Sequence, residues 1–198
     1  MIALSERPRI IVSACLLGNL VRFNGNHSRD KFIIRLQDFV NFDTTCPEVE
    51  AGMGIPREPI RIVDDGTTKV LGVQTSKDYT SVLTEFTSRK ISNLQKEEID
   101  GFIMKQKSPS CGIFSVKNYL PNGHPHGRRA GIFGEKLVEE FSNPPIEEEG
   151  RLNDPVLREV FLRGVYAHHR LRMLFKEEPS ARQIVEFHSK EKLLLLAH

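Results

Sequence analysis

Three cysteines, Cys15, Cys46 and Cys111, are the residues of this 198-residue chain best suited to chemistry. Their surroundings are Val12-Ser13-Ala14-Cys15-Leu16-Leu17-Gly18, Cys46-Pro47-Glu48 and Lys107-Ser108-Pro109-Ser110-Cys111-Gly112. A glycine or proline lies close to each cysteine, which predicts a turn at each one. Turns at strand ends let backbone amides face a bound group and leave room for it. An odd number of cysteines excludes a complete disulfide set within one chain. Three thiolates are soft ligands that suit zinc, copper(I) or an iron–sulfur cluster. No C-x-x-C pair is present, so three unrelated cysteines, two of them buried, is the competing reading of the spacing alone.

The elements that must position them are legible from periodicity. Residues 9–14 carry the β-branched enrichment of a buried strand that ends at Cys15. Residues 30–40 place apolar side chains at helical spacing, and 43–45 closes a short strand running into Cys46. Residues 51–59 are too rich in glycine and proline for regular structure, and 61–63 with 69–73 form a hairpin around Asp64-Asp65-Gly66. A helix fits 79–94, a strand fits 101–104 ahead of Cys111, a loop fits 119–129 and a helix fits 131–141. The alternation of strands and helices implies an α/β fold: a Rossmann-like, mostly parallel sheet with helices on both faces. In such a sheet, segments that follow the strands gather at its carboxyl edge, where all three cysteines could line one crevice.

Beyond Gly150 the pattern becomes purely helical. Asn153-Asp154-Pro155 and Pro179-Ser180 open two helices that form a C-terminal hairpin, with Gln183 placed to complete a capping box on Ser180. Residues 1–150 are therefore expected to form the α/β domain. Residues 151–198 are expected to be the start of a helical domain, truncated at the apolar run 193–197, with a tail that packs on the α/β domain or on a partner. His168, His169 and His188 fall in these helices and are expected to face solvent or a neighbouring helix. His124 and His126 lie in a glycine- and proline-rich loop without acidic company, a poor metal site.

Composition narrows the class. A formal net charge of +2 is too small to argue for a nucleic acid or an anionic membrane as partner. No apolar stretch is long enough to span a bilayer, and residues 1–9 do not resemble a secretory leader. A cytoplasmic location is expected.

Five motifs occur in one order: Val-Ser-Ala-Cys-Leu-Leu-Gly, Val21-Arg22-Phe23-Asn24-Gly25, Cys-Pro-Glu, Gly54-Ile55-Pro56-Arg57-Glu58-Pro59 and Lys-Ser-Pro-Ser-Cys-Gly. In this the chain resembles the thiouracil desulfidase family over about residues 8–145, and residues 155–198 resemble the start of an uncharacterised helical domain often fused behind it. The resemblance implies a [4Fe–4S] cluster held by Cys15, Cys46 and Cys111, with one iron open to act as a Lewis acid and a sensitivity of the cluster to air. It implies hydrolytic removal of sulfur from a thiolated pyrimidine such as 2-thiouracil, with release of hydrogen sulfide. Glu48 and Ser108 match positions assigned there to proton transfer. Arg57, Ser110 and Ser13 are further substrate-binding candidates; Arg57 is suited to a substrate carbonyl, to a neighbouring carboxylate or to bracing its own loop, and Arg22 and Asn24 stand similarly. The alternatives are a non-catalytic zinc module that recruits a partner, and a sulfur-transfer protein acting on thiolated tRNA. A structural zinc site normally takes four protein ligands, and no histidine lies near any of the cysteines in sequence.

Overall fold

The computed structural model describes residues 7–196, with side chains placed through residue 192. The side chains of the apolar run 193–197 thus lie outside the described residues. The chain order is β1 (Arg9–Ser13), α1 (Lys31–Leu36), β2 (Asn41–Thr45), α2 (Pro47–Glu50), β3 (Ile60–Asp64), β4 (Thr68–Gly72), α3 (Thr80–Leu94), β5 (Gly101–Met104), β6 (Val116–Tyr119), β7 (Pro125–Arg129), α4 (Ile132–Glu140), β8 (Ile146–Glu148), α5 (Pro155–Lys176) and α6 (Ala181–Leu196).

Strands β2-β1-β5-β8 form a sheet in which every pairing is parallel. Its residues alternate between faces as the two-residue period of a strand requires. Ile10, Val12 and Ile103 pack with Ile33 and Leu36 of α1 and Phe161 and Val165 of α5. Ile11, Phe102 and Met104 pack on the other face, with Phe86, Ile91 and Leu94 of α3 and Phe133 and Leu137 of α4. Helices thus cover both faces of the sheet. Gly101 permits the close approach of α5: a Cβ there would meet Val165 Cγ2 at 2.8 Å. The C-terminal hairpin is joined across its two helices by Arg170 Nε and Nη2, which donate to Glu191 Oε1 at 2.9 and 2.7 Å. Ser180 and Gln183 form the expected capping box, the Ser180 amide donating to Gln183 Oε1 at 2.9 Å and the Gln183 amide to Ser180 Oγ at 3.4 Å.

Three expectations change. The segment 119–129 is not a loop: β6 and β7 form an antiparallel hairpin, which joins the β3–β4 hairpin in a second sheet of order β4-β3-β6-β7. The sequence of β7, Pro-His-Gly-Arg-Arg, lacks β-branched residues because it is an exposed edge strand that buries almost nothing. Strand β8 also escapes periodicity, because two of its three residues are glutamates whose carboxylates are satisfied by local donors. Finally, His168 and His169 do not face solvent or a helix. Both contact the fully buried carboxylate of Asp100, at the amino end of β5, at 3.3 and 2.9 Å. No described helix is long and apolar enough to cross a membrane.

Candidate metal centre

The strand order β2-β1-β5 places the cysteines. Strands β1 and β2 end in register, Ser13 opposite Thr45, and the chain then turns at both ends. After β1 a single 3-10 turn (Ala14–Leu17) carries Cys15. After β2, Cys46 becomes the N-cap of α2, with Pro47 in its first turn; Glu50 reaches back to accept the Cys46 amide at 2.8 Å. After β5 a tight turn carries Cys111, whose amide donates to Ser108 Oγ at 3.2 Å. Neighbouring strands stand about 4.8 Å apart, so three loops distant in the chain deliver three thiols to one end of one sheet.

The Cys111 turn is gripped from two sides. Gly134 in the first turn of α4 packs so closely that a Cβ there would lie 2.2 Å from the Gly112 carbonyl oxygen, and the Phe133 amide donates to Ser110 O at 3.0 Å. On the other side, buried Glu148 accepts from the Ile113 and Phe114 amides and from Ser115 Oγ. Ser115 Oγ in turn accepts from the amide of Lys107, a non-glycine residue held in the left-handed region at φ 60°.

All three thiols are free and line one cavity of about 670 Å³, together with Ser13, Glu48, Arg57, Ser108 and Ser110. The three cysteines, Ser13, Glu48, Arg57, Ser108 and Ser110 are therefore brought to the same place, and Arg22 with them. Burial pushes the Cys15 thiol up to about 11, with the charge of Cys46 adding to the rise and Lys105 opposing it. Burial likewise raises Cys46 and Cys111. A charge on Cys46 or Cys15 raises Cys111 further, and the Ser13 hydroxyl eases it. Cys15 and Cys111 each feel the charge of Cys46, so a bound cation would favour the thiolates over the thiols. That donor chemistry fits a cluster that takes soft thiolates. Among the described residues, no three of His, Cys, Asp and Glu stand close enough to share a single metal ion.

Beside the thiols lies a nearly dry ion pair. Arg57 Nε and Nη2 donate to Glu48 Oε2 at 2.8 and 2.6 Å, with side-chain exposures of 5% and 11%. Arg57 also donates to the Gly54 and Val21 carbonyls at 2.9 and 3.0 Å. Of its expected roles, the structure gives it the neighbouring carboxylate and, through Gly54, the bracing of its own loop. The other oxygen, Glu48 Oε1, accepts Ser110 Oγ at 2.7 Å, and Ser110 Oγ lies 3.0 Å from Ser108 Oγ. Ser13 Oγ accepts the Lys105 amide at 2.9 Å. Asn24 is not at the cavity; its side chain accepts the Asn26 amide within its own turn.

Sequence reasoning missed the opposite wall. Arg61, Lys117, Tyr119 and Arg128 of the second sheet line the cavity, as do Lys105, Lys107 and Arg22. Glu48 is the sole carboxylate of the lining among the described residues. Lys105 pairs with Glu149, whereas Arg22, Arg61, Lys107, Lys117 and Arg128 have no carboxylate partner among the described residues. A chain of net charge +2 thus places five cations without a carboxylate partner among the described residues around one hollow. No local motif signals this, because the cations come from five separate segments.

A family model described as 2-thiouracil desulfurase matches residues 10–149. The chain is 30% identical over 155 residues to the uncharacterized protein YbbK of Bacillus subtilis (strain 168), over 73% of this chain and 98% of that protein. Among solved structures, the [4Fe–4S]-dependent thiouracil desulfidase TudS is similar with a TM-score of 0.60 and 25% identity, over 78% of this chain and 99% of that one.

Proposed function

This chain belongs to the 2-thiouracil desulfurase family, and on that premise we propose that it is a [4Fe–4S]-dependent desulfidase acting on thiolated pyrimidines, with Cys15, Cys46 and Cys111 as the cluster ligands. The net reaction is hydrolysis: the thiolated base and water give the oxo base and hydrogen sulfide, with no net electrons. The observation that carries this reading is the convergence of three thiols from three strand ends on one cavity that also holds a buried carboxylate. When bound, the cluster supplies an iron without a protein ligand, a soft Lewis acid for the substrate's sulfur.

The chain's own residues supply the rest. Glu48, fixed by Arg57, is oriented to accept a proton from attacking water, and Ser108 presents a hydroxyl at the cavity wall. The low exposure of this group strengthens each polar contact by keeping water away. The cations Arg22, Arg61, Lys107, Lys117 and Arg128 favour a substrate that carries a negative group, such as a thiolated nucleotide, over the neutral base.

The zinc-module alternative is less well supported, since a structural zinc site normally takes four protein ligands and the cavity lining offers three cysteines and no histidine. The basic lining favours one part of the other alternative, thiolated RNA as the sulfur source. One assay separates these readings. Anaerobically reconstituted protein is supplied with 2-thiouracil, its nucleotide and thiolated tRNA, and free sulfide is measured. Sulfide and oxo base in equal amounts are expected, fastest from an anionic substrate. Sulfur retained on the protein would favour transfer, and an intact cluster that releases no sulfide from any of the three would overturn the proposal.

A further inference from the structure

We propose that Ser110 is a positioning residue of this site: it fixes Glu48 in one orientation. The proposal rests on the desulfidase reading above and adds a role to it. Ser110 is 1% exposed, and its Oγ lies 2.7 Å from Glu48 Oε1, 3.0 Å from Ser108 Oγ and 3.7 Å from Cys111 Sγ. A hydroxyl has one proton to give. The carboxylate is the closest and most strongly charged acceptor of the three, so Ser110 donates to Glu48. Ser110 can then only accept from Ser108, which fixes the polarity of the chain: Ser108 O–H to Ser110 Oγ, Ser110 O–H to Glu48 Oε1. Ser108 Oγ is held in place by accepting the Cys111 and Ser110 amides at 3.2 and 3.4 Å.

The carboxylate is gripped at both oxygens, by Arg57 on Oε2 and by Ser110 on Oε1. Arg57 alone would leave Oε1 free to swing about the ion pair. Half-buried Ser108 stands at the cavity wall and buried Ser110 behind it. Ser110 thus stands between the cavity-facing Ser108 and the buried carboxylate, and its hydroxyl sets where Glu48 Oε1 sits relative to a ligand in the cavity.

The test compares Ser110→Ala with Ser110→Thr, which keeps the hydroxyl. In Ser110→Ala, kcat should fall on the order of 10²-fold, as for loss of one acid–base contact, with KM and iron content close to wild type. Ser110→Thr should recover most of kcat. A second readout needs no turnover: the carboxyl NMR resonance of Glu48 in glutamate-labelled apoprotein, assigned by its loss in Glu48→Gln, should shift in Ser110→Ala and return in Ser110→Thr. An unmoved resonance, a wild-type kcat in Ser110→Ala, or a fall in kcat matched by loss of iron would overturn the proposal. Wild-type protein that holds its cluster and releases no sulfide would instead sink the desulfidase reading, with the resonance still deciding whether Ser110 fixes Glu48.

Discussion

The two ends of the parallel sheet each bury a carboxylate against an arginine, and they are built for opposite purposes. At the amino end, Asp100 is closed in on every side. Its oxygens take the Arg9 amide at 2.9 Å, His169 Nδ1 at 2.9 Å, His168 Nδ1 at 3.3 Å, and Arg172 Nε and Nη2 at 3.0 Å each. Three of those four partner residues lie on α5, so the network fastens that helix across the start of β5 and continues the packing of Phe161 and Val165. At the carboxyl end, Glu48 is held as firmly by Arg57 and Ser110, yet it borders an open hollow with three raised thiols and five cations that have no carboxylate partner among the described residues. A saturated buried network has nothing left to bind and serves to hold elements together. A network that is satisfied on one side and borders a cavity on the other is preorganised for a ligand that completes it.

The largest test of that contrast removes a thiol. Cys46→Ser should abolish sulfide release and iron retention while the protein stays folded, because the thiol's contact with the Val21 carbonyl is a long one, 3.8 Å, and a hydroxyl can still accept the backbone amides of α2. Circular dichroism and iron analysis on the same sample check both halves. The next effect is at Glu48. Glu48→Gln should retain iron and lose about 10²- to 10⁴-fold in kcat, the range for loss of a general acid–base group; loss of iron in that variant would make Glu48 structural and erase the distinction between the two ends.

At the amino end the effect should appear in stability alone. Asp100→Ala leaves His168, His169 and Arg172 facing one another without their anion, and should cost about 3–5 kcal/mol in denaturant unfolding, with iron binding unchanged wherever the protein is folded. The smallest effect is on pH. Burial alone would raise the Asp100 carboxyl, but hydrogen bonds from His168, Arg172, the Arg9 amide and His169 outweigh it and hold the carboxyl well below its ordinary range. A depressed folded pKa stabilises fully above the unfolded value of about 3.9 and is lost as pH falls through the folded pKa. Wild type should therefore lose stability in strong acid more steeply than Asp100→Asn, as read by thermal unfolding across that range.

The two ends also differ in how far the sequence discloses them. The thiol end was legible because each cysteine closes a strand-like run and sits beside a glycine or proline. The catalytic-candidate residues lie within three positions of a cysteine, apart from Arg57. Even there the contacts were hidden: nothing in Gly-Ile-Pro-Arg-Glu-Pro says that Arg57 spends its donors on Glu48, and nothing marks Arg61 or Arg128 as facing the thiols across a second sheet. The Asp100 end was illegible. Its partners sit about seventy positions away on a helix whose histidines read as ordinary surface residues, and only tertiary packing brings them to the sheet. Strand β7 reads as a loop because its residues are charged and turn-forming, and β8 carries no strand signal at all; their pairing comes from neighbours, not from apolar alternation.

The most direct test of the central claim is metal and sulfide analysis of the protein purified and reconstituted without oxygen, paired with its visible spectrum. The account predicts about four irons and four inorganic sulfides per chain, lost together when any one of Cys15, Cys46 and Cys111 is replaced by serine. One zinc per chain, or an iron content that survives the loss of one of these cysteines, would contradict it.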